Sequence, residues 1–308
     1  MNAFIFPGQG AQVVGMSKDF YDAIPECKAV IDEADEVLDF DLKAILYEEN
    51  ELINKTEYTQ AAMLAAEVCM LKAVELKGIK ADITAGLSLG EYASLVAAKA
   101  IPFADAMRLV RKRGIYMESE VPAGKGGMAA VISLGADKIE EICDKITKDT
   151  GKVVSPANYN CPGQIVVSGY KESVQVAIPL FTEAGALKAV ELNVSGPFHS
   201  SMLKGAGDKL GAELANVTFS DPIIPYINNI NAEVVSSAES IKDTLERQVY
   251  NPVRWQQSME KMIEMGVDTF YEIGPGKTLA GFMKRIDRSR KVISVNSLEG
   301  LETIHTEA

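Results

Sequence analysis

Apolar residues along this chain fall into two kinds of run. Short, nearly continuous ones bounded by glycine, proline or amide residues, at 3–6, 83–85 and 268–273, predict buried parallel strands. Longer stretches with apolar residues three and four apart predict helices through much of 17–47, over 59–77 and 103–119, at about 239–249 and 255–265, and over 201–214. The 59–77 segment carries Ala62, Leu64, Ala65, Val68, Leu71, Ala73 and Val74, too many for a surface helix, and Gly78 stops it. A short strand with amides at its end is expected at 225–229, and 268–273 is expected to be the last strong strand.

The pattern changes after Pro122-Ala123-Gly124-Lys125-Gly126-Gly127, which reads as a linker. Strands are predicted at 128–134, 153–158, 164–169 and 187–194, with helices at 137–148 and 172–184 between them. The order βαββαβ is that of the ferredoxin-like unit, so a small domain over 125–194 is expected to be inserted into a larger one. The chain leaves it at Ser195-Gly196-Pro197. The fold class is therefore α/β: a large domain with a short parallel sheet from 1–124 and 195–308, plus the insert.

Composition narrows this little but excludes much. With 308 residues, 47% of them hydrophobic, the chain can bury one large core and a smaller second one. Its 31 basic against 43 acidic residues, a net −12, argue against a broad nucleic-acid surface. Cys27, Cys69, Cys143 and Cys161 are far apart and form no Cys-x-x-Cys pair, so neither a metal site nor a disulfide framework is expected, and a reducing cytoplasm fits. No basic region followed by an apolar stretch opens the chain, and no apolar segment is long enough to span a bilayer, so no membrane partner is expected.

Candidate chemistry starts at Gly86-Leu87-Ser88-Leu89-Gly90, which sits where strand gives way to helix. Small residues either side of a serine let the backbone fold back sharply, exposing the hydroxyl at a helix N-terminus, where unpaired N–H groups stabilise negative charge. The same residues also suit a glycine-rich cap with Ser88 as N-cap. The loop after the first strand, Pro7-Gly8-Gln9-Gly10, lacks the third glycine of a dinucleotide fingerprint, Val13 standing there, and is read as a ligand-facing loop carrying Gln9. Gly276-Lys277-Thr278 resembles the end of a phosphate-binding loop, but Tyr271 stands where its first glycine belongs. Of Arg111-Lys112-Arg113, Arg113 borders the apolar face of its helix and is either paired structurally or aimed into a pocket. There are two histidines, His199 in Phe198-His199-Ser200 and His305 near the end; if Ser88 has a base, it is His199. The run Lys284 to Lys291 is the one concentrated basic segment, either a solvated helix end or a docking surface for an acidic partner.

Together Gly8-Gln9-Gly10, the Ser88 pentapeptide, Arg113, Gly196-Pro197-Phe198-His199-Ser200 and Asn251-Pro252, in this order and spacing, resemble the malonyl-CoA:acyl carrier protein transacylase family and its acyltransferase-domain relatives. The resemblance runs from Phe6 to about Val295; Leu87 replaces a common histidine and Cys161 a common serine. It implies an α/β-hydrolase-like large domain and malonyl transfer from coenzyme A to the phosphopantetheine thiol of acyl carrier protein, by a ping-pong route through a malonyl-serine, supplying extender units for fatty acid synthesis. It implies Ser88 as nucleophile, His199 as base and the Gln248 carbonyl as its orienting partner. The oxyanion hole would lie at Gln9 and Leu89, Arg113 would take the malonyl carboxylate, and Met117, Asn160 and Asn229 would contact substrate. No permanently bound cofactor or metal is implied, and a monomer is expected. A serine hydrolase acting on thioesters and a non-catalytic acyl-CoA or carrier-protein binding module remain the alternatives.

Overall fold

The computed structural model describes residues 1–194 and 196–304; Ser195 and His305, both singled out above, lie outside the described residues. The chain begins β1 (Asn2–Phe6), α1 (Lys18–Ala23), α2 (Pro25–Val37), α3 (Leu42–Tyr47), α4 (Thr56–Leu76), β2 (Ile83–Gly86), α5 (Gly90–Ala97) and α6 (Phe103–Ser119). It continues with β3 (Gly126–Ile132), α7 (Ala136–Thr150), β4 (Val154–Cys161), β5 (Gln164–Tyr170), α8 (Lys171–Glu183) and β6 (Lys188–Glu191). The last third holds α9 (Lys204–Ala215), β7 (Tyr226–Ile227), β8 (Val234–Val235), α10 (Ala238–Gln248), α11 (Trp255–Glu264), β9 (Thr269–Ile273), α12 (Thr278–Ile286), β10 (Lys291–Val295) and α13 (Leu298–Glu302).

Six strands form one sheet in the order β10-β9-β1-β2-β7-β8, parallel except for the β7/β8 pair. β1 lies inside it, paired with β2 from Ala3↔Ile83 to Phe6↔Gly86 and with β9 on its other edge. Both faces are covered, which is why these strands read as unbroken apolar runs. Phe4 and Phe6 pack on the side of α4, while Ala3 and Ile5 pack with Trp255, Met259 and Met262 of α11. Helix α4 is buried on nearly every side, as its composition predicts, because α2, α5 and α6 surround it.

The second sheet, β4-β5-β3-β6, is antiparallel, and β3 to β6 follow one another in the chain with α7 and α8 between. Its strands split their side chains by alternation. Ala129, Val131, Ile165 and Val167 pack beneath α7 and α8, whereas Met128, Ala157 and Val166 join the large cluster on the other face. One wall of the central cavity is thereby made by this sheet.

The 17–47 segment holds three short helices, with Pro25 opening α2 and Asp41 capping α3. One expectation needs correction. The strand at 268–273 is followed by another, β10, on the sheet edge. That strand begins inside the basic run, where Arg285 already hydrogen-bonds the Gly163 carbonyl and the Gln164 side chain, and Arg290 pairs with Asp287. No helix among the described residues is long and apolar enough to cross a membrane.

Candidate active site

Ser88 stands between the end of β2 and the start of α5 with φ at +54°, in the left-handed region that non-glycine residues avoid. Glycine is required on both sides of it. A Cβ at Gly86 would fall 1.8 Å from the Gly90 carbonyl carbon, and one at Gly90 would fall 2.4 Å from the Phe6 oxygen. The elbow expected from the sequence is therefore present, and Ser88 is not the N-cap, a position Leu89 takes; its hydroxyl contacts His199 and Arg113 instead.

The Ser88 hydroxyl lies 2.7 Å from Nε2 of His199. Nδ1 of His199 donates to the Gln248 carbonyl at 2.8 Å, so the network leaves Nε2 free to accept the serine proton. Burial pushes the His199 pKa down to about 4, with the Arg113 charge acting in the same direction, so the imidazole is neutral at physiological pH. His199 also has positive φ, at +59°. Both members of the pair are thus held in costly backbone geometry by their surroundings.

Arg113 reaches the same hydroxyl from α6. Its Nη2 donates to Ser88 Oγ at 3.2 Å and to Gln248 Oε1 at 2.9 Å, and its Nη1 donates to Gln60 Oε1 at 2.7 Å. The guanidinium is buried at 1% exposure, and no carboxylate among the described residues lies within ion-pair distance of it. Its neighbour Arg111 behaves oppositely, pairing with Asp39 and Glu57 at the surface. Of the basic triplet, Arg113 is the one aimed into the site.

The family resemblance implies Gln9 and Leu89 here for their backbone. Among the described residues nothing accepts the N–H of either, while the Gln9 side chain donates to Thr56 Oγ1 at 3.0 Å and so ties its loop to α4. Ser88, Gln9, Leu89, Arg113 and His199 all line one cavity of about 790 Å³, and Met117 and Asn160 line it as well. Asn229 does not. It is fully buried behind the elbow, where its Oδ1 accepts the Ser88 N–H at 2.6 Å and its Nδ2 donates to the Gly86 carbonyl at 2.7 Å. The short β7 strand ends just ahead of it, so Asn229 braces the turn from within rather than touching a ligand.

Sequence reasoning missed Gln60, Glu91 and Asn158. Gln60 and Glu91 are fully buried polar residues among mostly apolar buried neighbours on their helices, and that mismatch was the available signal. Glu91 Oε2 accepts from Gln248 Nε2 at 2.7 Å and from the Asn229 N–H at 3.2 Å. Asn158 lies two residues before Asn160 on β4, so both amides face the cavity from one side of the strand.

A model of the acyl transferase domain matches residues 3–303, nearly the whole described chain. The chain belongs to the acyl transferase domain family. Among curated relatives of this acyl transferase is the malonyl CoA-acyl carrier protein transacylase of Bacillus subtilis, 44% identical over 301 residues, covering 97% of this chain and 95% of that protein. The enzyme of the same name from Escherichia coli K12 is 45% identical over 286 residues, with 92% of each covered. Among solved structures, an acyl carrier protein S-malonyltransferase from Vibrio cholerae superposes with a TM-score of 0.96 at 42% identity, 99% of each chain being covered. A malonyl-transacylase solved in complex with a type II PKS acyl-carrier protein gives a TM-score of 0.95 at 42% identity, with 98% of each covered. The elbow serine, a neutral histidine and two N–H groups that nothing accepts among the described residues thus meet at one cavity of this acyl transferase.

Proposed function

We propose that this acyl transferase moves the malonyl group from malonyl-CoA to the phosphopantetheine thiol of acyl carrier protein, through a malonyl ester on Ser88, supplying extender units for fatty acid synthesis. The observation that carries the reading is the double contact at Ser88 Oγ, with the His199 base at 2.7 Å and the Arg113 cation at 3.2 Å. The first makes the oxygen a nucleophile; the second places a planar fork where the carboxylate of a short diacid ester would lie. Relatives named for malonyl transfer support the same substrate.

In the first half-reaction Ser88 Oγ attacks the thioester carbon as its proton passes to His199 Nε2. The oxyanion is held by the N–H groups of Leu89 and Gln9. Collapse breaks the C–S bond, and the imidazolium returns its proton to the departing coenzyme A thiolate. In the second half-reaction His199 deprotonates the carrier thiol, which attacks the malonyl ester and restores Ser88. A carbonyl rather than a carboxylate supports the imidazole, a weaker arrangement than a full triad. It suits a thiol nucleophile, whose pKa of about 8.5 lies well below that of water.

The architecture supports this reading as an α/β-hydrolase-like large domain, 1–124 and 195–308, with a ferredoxin-like insert at 125–194. The protein would act as a cytoplasmic monomer, needing no permanent cofactor, with malonyl-CoA as acyl donor and the carrier thiol as acceptor. Incubation with malonyl-CoA followed by intact mass spectrometry tests the proposal. A stable malonyl adduct that disappears in Ser88→Ala is the expected result. Free malonate without an adduct would instead indicate a hydrolase, and neither product a binding module.

A further inference from the structure

Arg113 is a fully buried cation whose three hydrogen-bond partners among the described residues, Gln60, Gln248 and Ser88, are all neutral. A guanidinium in such a place needs a counter-charge. The network supplies one at a remove. Gln248 Oε1 accepts from Arg113, and Gln248 Nε2 donates at 2.7 Å to Glu91 Oε2. Glu91 is completely buried, and its second oxygen, Oε1, has no hydrogen-bond partner among the described residues. Cation and carboxylate thus form an ion pair split by one amide. The split leaves the outward edge of Arg113 open to the cavity, where a direct Glu91 contact would compete with an incoming anion.

We propose that Glu91 is the counter-charge of Arg113 in the empty site and surrenders that role, by taking a proton on Oε1, when the carboxylate of a malonyl substrate docks on the guanidinium. The inference rests on the malonyl reading above. Two anions then need not share one buried cation: the substrate carboxylate replaces Glu91, and a proton from solvent forms the O–H bond at Oε1 and neutralises the displaced charge. The groups acting on Glu91 are Arg113 from α6, Tyr92 on its own helix and Tyr226 of β7, and burial raises both phenols so that neither is charged near neutrality. Burial pushes Glu91 itself up to about 7, with Gln248, Asn229 and Arg113 pulling the other way, so offsetting the Arg113 charge moves it further toward the protonated form. His199, at about 4, takes up no proton in this range.

Binding that consumes a proton weakens as pH rises. The test uses Ser88→Ala, which binds without reacting, and measures Kd for malonyl-CoA and acetyl-CoA from pH 6 to 8.5. The malonyl-CoA Kd is expected to rise above pH 7 toward a limit of about tenfold per unit, the slope of one linked proton, while the acetyl-CoA Kd stays level. Both ligands carry the same phosphates, so their difference isolates the carboxylate. Adding Glu91→Gln to Ser88→Ala is expected to level the malonyl-CoA profile. A level profile in Ser88→Ala, or a slope that survives Glu91→Gln, overturns the inference while leaving malonyl binding intact. If Glu91→Gln does not fold, the two ligand profiles in Ser88→Ala still decide. Failure of Ser88→Ala to favour malonyl-CoA over acetyl-CoA at pH 6 would overturn the malonyl reading and this inference with it.

Discussion

On the parallel-sheet side of the cavity, Ser88, His199, Arg113, Gln248 and Asn229 are tied to one another by hydrogen bonds of 2.6 to 3.2 Å. On the antiparallel-sheet side, Asn158 and Asn160 project amides that bond to nothing among the described residues, beside apolar Met128 and Val166. The first wall has its geometry settled before any ligand arrives, which is what stabilisation of a transition state demands. The second has polar capacity in reserve. On the proposed reading it meets the pantetheine arm, which coenzyme A and the carrier share, and whose amides can bond to side chains that hold no other partner.

Breaking the prearranged wall has the largest expected consequence. His199→Ala should cut the rate of malonyl-enzyme formation by about 10³-fold or more. Rapid-quench detection of the acyl-enzyme on Ser88 measures this, and a loss of less than about tenfold would show that His199 is not the base. Arg113→Ala should lower malonyl transfer by about 10- to 150-fold, the range of a lost charge-assisted contact, while acetyl transfer survives or improves. Equal losses with the two acyl groups would contradict the assignment of Arg113 to the carboxylate.

The pH profile sharpens the comparison further. Because His199 is pushed down to about 4, its basic form persists as pH falls, and the acid limb of kcat/KM should lie near that value. At pH 5 an ordinary histidine, with a pKa near 6.5, would have lost about 30-fold of its basic form; this enzyme should retain most of its activity. On the opposite wall, Asn158→Ala or Asn160→Ala should raise KM for malonyl-CoA about 5-fold, one hydrogen bond's worth, with kcat nearly unchanged. A fall in kcat alone would move those amides into the chemistry. Smallest of all, charge reversal at Arg288 and Lys291 should raise the apparent KM for acyl carrier protein about 2- to 3-fold in low salt and leave that for malonyl-CoA alone. Arg285 is unsuitable for that test because it holds the Gly163 turn.

Residues whose meaning is local could be read directly from the chain. Gly86 and Gly90 announce the elbow because only glycine fits there. His199 was legible through scarcity, and Arg113 through its place at the border of an apolar face. The four strands and two helices of 126–191 came from the apolar patterning of each segment and the turns between them. Residues whose meaning depends on distant partners were hidden. Gln60 meets Arg113 across 53 positions and Gln248 meets Glu91 across 157, and no periodicity reports such pairings. Asn229 was assigned to the ligand for the same reason: its partner, the Ser88 N–H, lies 141 positions away. β10 escaped notice because an edge strand opening with Lys291 is only half buried and carries little of the apolar signal of its neighbours.

The place of β1 inside the sheet has a consequence in time. Its partner β9 begins at Thr269, so 269 − 6 = 263 residues follow Phe6 before that edge can be covered. At a synthesis rate of about 5 to 20 residues per second, Phe4 and Ile5 wait roughly 13 to 50 s on the ribosome with one flank open. Ser88 emerges within the same interval and must wait for Gln248 before the histidine beside it is held in place. The nascent chain therefore carries the elbow serine long before it carries a complete site, and a slowed ribosome lengthens the time in which this exposed strand can pair with the wrong neighbour.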